Sequence, residues 1–188
     1  MTYIIDAVAS RAVWTGRRLT GSHEGTIQFS GGHLDVVDDV IDGGSFQFEV
    51  PSLRVTDLEN PVLNEQLRTH LLSEDFFAAD KYPQAAFTIT SALPDNDGNY
   101  DVEGDLTMKG TTHPLRFDAF VVIDGQTLRA NAEIVVDRTL YDMRFRSNKF
   151  FENLGDLIIY DDFVLNVDVV ATAKKVMETE DLDLSNII

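Results

Sequence analysis

Histidines are the side chains of this chain best suited to binding a metal ion or moving a proton. There are four, His23, His33, His70 and His113, and they lie far apart in the sequence. Zinc-binding histidines on one helix or hairpin usually follow close spacings such as HExxH or HxH, and neither occurs here. The chain also has no cysteine, which excludes thiolate metal sites, disulfides and thiol catalysis. The sequence therefore predicts no metal site.

Nucleophiles and carboxylates are present, but they form no recognisable catalytic motif. Serine, histidine and aspartate all occur, yet no serine lies in the Gly-x-Ser-x-Gly turn that exposes a nucleophile. The glycines are dispersed, and none opens a helix in a phosphate-binding loop. Pairs of carboxylates carry no information in a chain with 32 acidic residues. We therefore expect a protein that is not an enzyme and has no cofactor.

One local group of basic residues could bind an anion. It consists of Arg138, Arg144, Arg146 and Lys149, which surround Tyr141. A guanidinium donates two parallel hydrogen bonds to a carboxylate or phosphate, so this group could hold a charged headgroup. The alternative is an exposed surface on which these side chains form weak ion pairs with nearby carboxylates. The nearest carboxylates in the sequence are those of Asp137, Asp142 and Glu152.

The composition describes an acidic globular protein. Of its 188 residues 44% are hydrophobic, which is enough for one domain with a sizeable core. The formal net charge is −17 at pH 7, so there is no general excess of cations to displace counterions from a nucleic acid. The same balance argues against electrostatic attraction of the whole protein to anionic lipid headgroups. We therefore expect no nucleic acid partner.

The hydrophobic pattern predicts that these side chains are carried by β-strands. Apolar residues alternate with polar ones over several segments, for example at Val102, Leu106 and Met108. Alternation with one polar face is typical of antiparallel strands that are dry on one side only. Glycine, asparagine and aspartate at 95–99 and 124–126 predict hairpin turns between sequential strands. The pattern fits a sandwich or a barrel.

Residues 61–72 form the one predicted helix. Asn60 can cap its first turn, and Pro61 suits the first helical position. Leu63, Leu67 and Leu71 recur at four-residue spacing on the same face. The helix is therefore expected to pack one apolar stripe against the sheet.

Residues 1–173 are expected to form one domain, followed by an acidic tail at 174–188. The tail is expected to fray, or to dock on a second subunit, and a homodimer is the expected oligomer. Residues 1–6 lack the basic region and long apolar run of a signal peptide. No stretch approaches the ~20 apolar residues of a membrane span. The sequence thus predicts a cytoplasmic protein, or a periplasmic one if a leader has been removed.

Aromatic residues could either fill the interior of a barrel or line a cavity in it. A closed antiparallel sheet of about eight strands can enclose one small ligand. Small residues on inward positions would leave room beside large ones, and the spacing alone does not distinguish a filled barrel from a hollow one. These small residues are Gly104, Ala119, Ala130 and Ala132.

Two central motifs make this chain resemble the YceI-like family of lipid-binding proteins. The first is Leu71-x-Ser73-x-Asp75-Phe76-Phe77, followed by Tyr82-Pro83 and Phe87. The second is Gly104-Asp105-Leu106-Thr107-Met108-Lys109-Gly110-Thr111-Thr112-x-Pro114-Leu115. Weaker matches are Tyr3-x-Ile5-Asp6, Ser10, Asp137-Arg138-Thr139-x-Tyr141 and Leu154-Gly155-Asp156, so the resemblance covers about residues 3–173. The N-terminal third departs from the common pattern at Trp14-x-Gly16 and His23-x-Gly25.

The resemblance implies an all-β fold. The expected architecture is an extended antiparallel lipocalin-like barrel of about eight strands, with one short helical insert near residues 61–72. It implies a long hydrophobic cavity and a polyisoprenoid, an isoprenoid quinone or a fatty-acid-derived amide as ligand. The cavity wall is predicted to consist of Phe46, Phe48, Leu67, Leu71, Phe76, Phe77, Phe87, Ile89, Leu106, Met108, Phe117, Ile134, Phe145, Phe163 and Leu165. The candidates for orienting the headgroup are His70, Arg138, Tyr141 and Arg144.

The leading hypothesis is therefore non-enzymatic binding, transport or storage of a long-chain amphiphilic lipid. One alternative is a packed β-barrel that recruits a protein partner through its surface or its acidic tail and binds no lipid. The other is an enzyme acting on an isoprenoid intermediate, for which the chain has no nucleophile or metal motif.

Overall fold

The fold is an antiparallel barrel, seen in a computed structural model that describes residues 1–95 and 97–174. The strands are β1 (Thr2–Ile5), β2 (Arg11–Arg18), β3 (Gly21–Val37), β4 (Val40–Val55), β5 (Gln84–Pro94), β6 (Asn99–Met108), β7 (Thr111–Asp124), β8 (Thr127–Asp137) and β9 (Ile159–Ala173). One α-helix, α1, spans Pro61–Leu72, and two short 3-10 helices span Arg138–Tyr141 and Gly155–Leu157. The predicted all-β fold with one helical insert is confirmed.

Strands β2 to β9 pair with their neighbours in chain order, and β9 pairs back with β2 to close the sheet. Strand β1 pairs with both β3 and β9, which are also the two neighbours of β2. Both β1 and β2 run antiparallel to these neighbours, so together they form one interrupted strand. The result is an eight-stranded barrel, which confirms the predicted architecture. The break in its first strand was not predicted.

The break at residues 6–10 is a turn held by side chains. The Asp6 carboxylate accepts hydrogen bonds from the backbone N–H groups of Val8 and Ala9, at 2.9 and 3.0 Å. On β9, the Val170 N–H donates to the Ser10 hydroxyl at 3.0 Å. This hydroxyl takes the place of the backbone carbonyl that an unbroken strand would offer to β9. The turn therefore leaves the neighbouring backbone satisfied where the strand is missing.

Alternation places the apolar face of every long strand inside. On β6, Val102, Leu106 and Met108 are buried, whereas Glu103 and Asp105 between them are exposed. This confirms the predicted inward and outward positions of that strand. Side chains of one face pack inside the barrel because removing them from water is the main favourable term in folding.

The two ends of the barrel differ in their connections. The hairpin end has the short β3–β4, β5–β6 and β7–β8 connections together with β1. The helix end has the β2–β3 turn at 19–20, the β6–β7 turn at 109–110, and two long connections at 56–83 and 138–158. Helix α1 and both 3-10 helices therefore lie at the same end.

Helix α1 has the predicted bounds and the predicted cap. The Asn60 side chain accepts hydrogen bonds from Val62 N–H and Leu63 N–H at 3.0 and 3.1 Å. No residue of the helix is fully buried, and of the predicted stripe Leu63 is wrong: it is 52% exposed, whereas Leu67 and Leu71 pack on the barrel. Polar contacts hold it to β4: Arg68 Nε donates to the Leu53 carbonyl at 2.9 Å, and Asn64 Nδ2 donates to the Val55 carbonyl at 3.0 Å.

The predicted acidic tail at 174–188 lies outside the described residues except for Lys174, whose N–H donates to the Thr2 carbonyl at 2.8 Å. In the part of the chain that the structure describes, no helix is both long and apolar enough to cross a bilayer. The single domain over 1–173 and the homodimer stay predictions.

Candidate functional site: an apolar cavity in the barrel

The barrel encloses an apolar cavity of about 220 Å³. Its wall takes side chains from each of the eight barrel strands β2 to β9 and extends from Leu34 and Ile41, near the hairpin end, to Ile159 at the helix end. The polar residues of the wall lie at the helix end, except Asn131. The group of Arg17, Arg18, His23, Tyr160 and Asp162 at that end is named the mouth.

The volume and the length of the cavity together describe a narrow channel. Pockets for drug-sized ligands usually measure about 300–1,000 Å³, so this one is small for a bulky molecule. Its wall nevertheless runs along much of the barrel axis. A thin, extended apolar chain fits these dimensions better than a compact ring system.

Aromatic rings form much of the wall. The Phe29 and Phe48 ring centroids are 4.6 Å apart, and Phe87 lies 5.3 Å from Phe117 and 6.3 Å from Phe46. These rings pack on one another around the space and give the wall a defined shape, since aromatic pairs prefer tilted or offset contacts.

The small inward residues have two different roles. Ala119, Ala130 and Ala132 line the cavity, so they leave room in it as expected. Gly104 instead makes room for a neighbour, because a Cβ there would collide with the Phe87 ring and the Thr88 carbonyl. This glycine therefore brings an aromatic ring close to the β6 backbone and adds no volume to the cavity.

All but one of the predicted wall residues line the cavity, and Phe145 is the exception. It belongs to the 138–158 connection and packs on the edge of His70 and on Phe76, at 4.6 and 5.7 Å between ring centroids. The reason is local, because alternation does not extend through an irregular connection. The residues that line the cavity are Phe46, Phe48, Leu67, Leu71, Phe76, Phe77, Phe87, Ile89, Leu106, Met108, Phe117, Ile134, Phe163 and Leu165.

Helix α1 covers part of the helix end of the cavity. Leu67 and Leu71 line the space and pack on a small apolar cluster of Trp14, Leu53 and Val55. Phe77 of the following turn packs on the same cluster. The helix is held by these few side chains and by three hydrogen bonds from Asn64 and Arg68 to backbone carbonyls of β4, so fewer contacts hold it than hold the strands beside it.

Of the four headgroup candidates, only Arg138 reaches the cavity wall. It is 4% exposed, and its guanidinium donates to the backbone carbonyls of Met143, Ile159 and Tyr160 at 2.5, 3.0 and 3.0 Å. Burial lowers the pKa of Arg138 from its ordinary value, and the charges of nearby carboxylates act in the opposite direction. Most of its hydrogen-bonding capacity is therefore used to hold the β8–β9 connection together.

The other three candidates lie away from the cavity. Tyr141 is 1% exposed and meets His113 edge-on at 5.4 Å between ring centroids, while burial raises its pKa to about 12. His70 Nε2 is 3.0 Å from the Asp75 carboxylate on the outside of the connection. Arg144 is exposed and pairs with Asp142 at 3.0 Å.

The predicted basic group is thus divided between ion pairs and aromatic contacts. Lys149 Nζ bridges the carboxylates of Asp137 and Asp161 at 2.8 and 3.2 Å, which raises the pKa of the lysine. Arg144 Cζ lies 4.8 Å from the centroid of the Phe150 ring. The ion-pair interpretation, which the sequence left open, accounts for Arg144 and Lys149.

The sequence did not predict every residue of the wall, and it predicted none of those that strands β2 and β3 contribute. The Trp14 indole donates to the Arg54 carbonyl at 3.2 Å and lies over Gly25, where a Cβ would come within 2.5 Å of the ring. Gly16 faces His23 across the β2–β3 pair. The signal in β2 is its alternation, because Ala12, Trp14 and Gly16 are two residues apart and so lie on one face of the strand.

His23 is held at the mouth by a carboxylate. Its Nδ1 is 2.8 Å from Asp57 Oδ2, and Asp57 Oδ1 accepts from the Glu24 N–H at 3.1 Å. Burial raises the pKa of Asp57, but these hydrogen bonds outweigh burial and hold it below its ordinary value. The carboxylate is therefore ionised at neutral pH and orients the imidazole.

The family model of the YceI-like domain matches residues 3–171, which is most of the chain. Among curated relatives, Protein YceI of Escherichia coli O17:K52:H18 is 46% identical over 56 residues, which cover 30% of this chain and 29% of the relative. A protein of Pectobacterium atrosepticum is 43% identical over a stretch of the same length and coverage. The chain thus matches less than a third of the length of these curated relatives.

Solved structures share the fold at low sequence identity. BcnA of Burkholderia cenocepacia superimposes with a TM-score of 0.71 at 22% identity, covering 89% of this chain and 99% of BcnA. A polyisoprenoid binding domain from Saccharophagus degradans has a TM-score of 0.65 at 14% identity, with coverages of 92% and 98%. A Campylobacter jejuni YceI protein has a TM-score of 0.57 at 20% identity, with both coverages 85%.

Proposed function

Because this chain belongs to the YceI-like domain family, we propose that it is a non-enzymatic protein that binds, transports or stores a long-chain amphiphilic lipid inside its barrel. The observation that carries the proposal is a narrow apolar channel that runs along the barrel and opens at a polar mouth. The ligand class is a polyisoprenoid, an isoprenoid quinone or a fatty-acid-derived amide. The similarity of the fold to a solved polyisoprenoid binding domain supports the first of these.

Binding would be driven by removing the ligand tail from water. Each methylene group withdrawn from water contributes about 0.8 kcal/mol before the costs of ordering the chain. Ten such groups would contribute about 8 kcal/mol by this arithmetic. The aromatic wall supplies this environment without reorganising, because its rings already pack on one another around the space.

A binding role also agrees with the use of the polar residues. His23 and His70 each pair with one aspartate, and Arg138 binds backbone carbonyls. Each of these contacts positions a segment of the chain. They support a scaffold around an apolar space rather than a set of reacting groups.

The test is to identify the lipid that the purified protein carries and to measure whether an isoprenoid chain binds to it. Lipid extracted from several preparations of the purified protein is analysed by mass spectrometry, and an isoprenoid-chain probe is titrated into delipidated protein. We expect about one lipid per barrel and saturable binding of the probe. Preparations that carry no stoichiometric lipid, together with a probe that does not bind, would overturn the proposal and favour the protein-interaction alternative.

A matched pair of variants on β8 shows whether the ligand occupies the cavity. Ala132 faces the cavity, and Glu133 beside it is exposed on the outer surface. Ala132→Phe inserts a ring into the channel and is expected to reduce probe affinity at least tenfold, whereas Glu133→Phe adds the same ring outside and should leave affinity within about twofold. Equal affinities of the two folded variants would place the ligand elsewhere.

A further inference from the structure

The inner surface of the barrel has a gap at Gly16 on β2. Gly16 follows Trp14 on the inner face and lines the cavity. A Cβ built at Gly16 would have no atom within 4 Å, so the position opens onto empty space. The glycines at 25 and 104 differ, because a Cβ at either would collide with an aromatic ring. Gly16 therefore creates space where the other two only admit a neighbouring side chain.

The gap has defined neighbours on both sides. In the sheet register, Gly16 lies opposite His23 on β3 and opposite Phe163 on β9. Directly paired residues of antiparallel strands point to the same face, so both side chains flank the gap. Arg18 follows two positions later on β2, toward the helix end, and also lines the cavity. We name this space the Gly16 slot, bounded by Gly16, Arg18, His23 and Phe163.

Arg18 is the cation of the slot that is not engaged by a carboxylate. Within residues 1–95 and 97–174, no carboxylate oxygen lies within 4.0 Å of its guanidinium. Its neighbour Arg17 has only a long contact with Asp162, at 3.9 Å, and both partners of that contact are half-exposed. At the mouth, Arg17 and Arg18 thus outnumber Asp162, and Arg18 has no carboxylate within ion-pair distance among the residues that the structure describes.

Two carboxylates lie beside the slot, those of Asp162 in the mouth and of Asp57 next to His23. Asp57 accepts from His23 Nδ1 and from the Glu24 N–H, and Asp162 contacts Arg17 at 3.9 Å. The Asp57 carboxylate accepts from Nδ1–H of His23, so in the neutral imidazole Nε2 is an acceptor and offers an anion no hydrogen bond. A negatively charged group in the slot would therefore depend on Arg18 for its hydrogen bonds.

We propose that the Gly16 slot holds the anionic oxygen headgroup, a carboxylate or a phosphate, of an amphiphile whose tail lies in the channel. This inference rests on the proposed function and narrows its ligand class, because the headgroup of a quinone or of an amide carries no negative charge. A guanidinium binds such groups through two parallel hydrogen bonds, and the empty space at Gly16 leaves room for the headgroup beside Arg18. A neutral headgroup would fill the same space but would form no ion pair with the Arg18 guanidinium.

Three probes with the same tail test the proposal. Palmitic acid, hexadecyl phosphate and hexadecanol are titrated into delipidated protein at pH 8, where both acids are ionised. We expect both anionic probes to bind about tenfold more tightly than the alcohol, with a preference that falls as salt rises. Equal affinities for all three probes would overturn the headgroup site and leave the lipid-binding proposal intact. Absence of binding by all three would overturn both.

Two pairs of variants locate the effect. Arg18→Gln is expected to abolish the anionic preference and leave hexadecanol affinity unchanged, while Arg11→Gln, on the outer face of the same strand, keeps the preference. Gly16→Leu fills the slot and should weaken the anionic probes, while Thr15→Leu on the outer face should not. A preference for acid that survives in folded Arg18→Gln protein, or falls equally in Arg11→Gln protein, would contradict the site. Thermal melts show that each variant is folded.

Discussion

The hairpin end and the helix end of this barrel are built from the same strands, yet they serve different purposes. At the hairpin end, short turns and β1 close the sheet around side chains such as Leu128 and Ala171, which are 0% exposed. At the helix end, long connections surround a mouth, and no residue of α1 is fully buried. The contrast lies between the hairpin end and α1, because the 138–158 connection at the helix end also contains fully buried side chains such as Tyr141 and Met143.

The largest expected effect comes from deleting the same side chain at the two ends. Leu128→Ala leaves a hole in the packed hairpin end and should lower the free energy of unfolding by about 3 kcal/mol. Leu67→Ala, in α1, removes a side chain that faces the cavity and should cost about 1 kcal/mol or less. Urea unfolding measures both values. Similar losses for the two variants would break the comparison between the ends.

The second effect tests whether the helix end is loose throughout. Arg138 holds the β8–β9 connection through three carbonyls, so Arg138→Gln should lower the free energy of unfolding by about 2 kcal/mol. Arg144→Gln removes an exposed ion pair and should change it by less than about 0.5 kcal/mol. The same unfolding measurements check this. A small effect of Arg138→Gln would mean that the connection is as weakly held as α1.

The third effect is a pH dependence that belongs to the helix end. The pKa of Tyr141 is raised to about 12 by burial, so the folded state keeps its proton when the unfolded state has lost it. The contribution is fully present below pH 10 and is lost as the pH rises toward 12, a change of about 2 kcal/mol. Melts from pH 9 to 12 should show this loss, and it should be smaller in Tyr141→Phe. Identical profiles for both proteins would show that Tyr141 is not responsible.

The fold was predictable from the sequence because each of its signals is local. The bounds of α1 follow from Asn60 and Pro61, and the inner face of β6 follows from its alternating residues. Both depend on interactions within a few residues, so no knowledge of distant strands was needed. The break between β1 and β2 was not predicted, because it depends on Ser10 meeting the β9 backbone from the far end of the chain.

The cavity was only partly predictable for a related reason. Alternation identifies which side chains point inward, but it does not say what they meet there. Gly104 and Gly16 are both inward glycines, yet one admits the Phe87 ring and the other leaves a gap, a difference that depends on the neighbouring strands. Arg138 was chosen for its charge, and the carbonyls that engage it come from a connection without periodicity. Residues in the long connections, such as Phe145, had no pattern from which to be placed.

The closure of the barrel between β2 and β9 has a consequence for how the chain folds. Every other neighbouring pair from β2 to β9 consists of strands that follow each other in the sequence, whereas the closing pair joins Arg11 to Asp168 and β1 joins Ile5 to Ala171. Chain entropy disfavours such distant contacts, and folding slows as the mean sequence separation of contacts rises. We expect the hairpins to form early and this seam last. Until the seam closes, the future interior is an open sheet with two unpaired edges, so the step that completes the cavity also ends the period in which the chain is prone to aggregate.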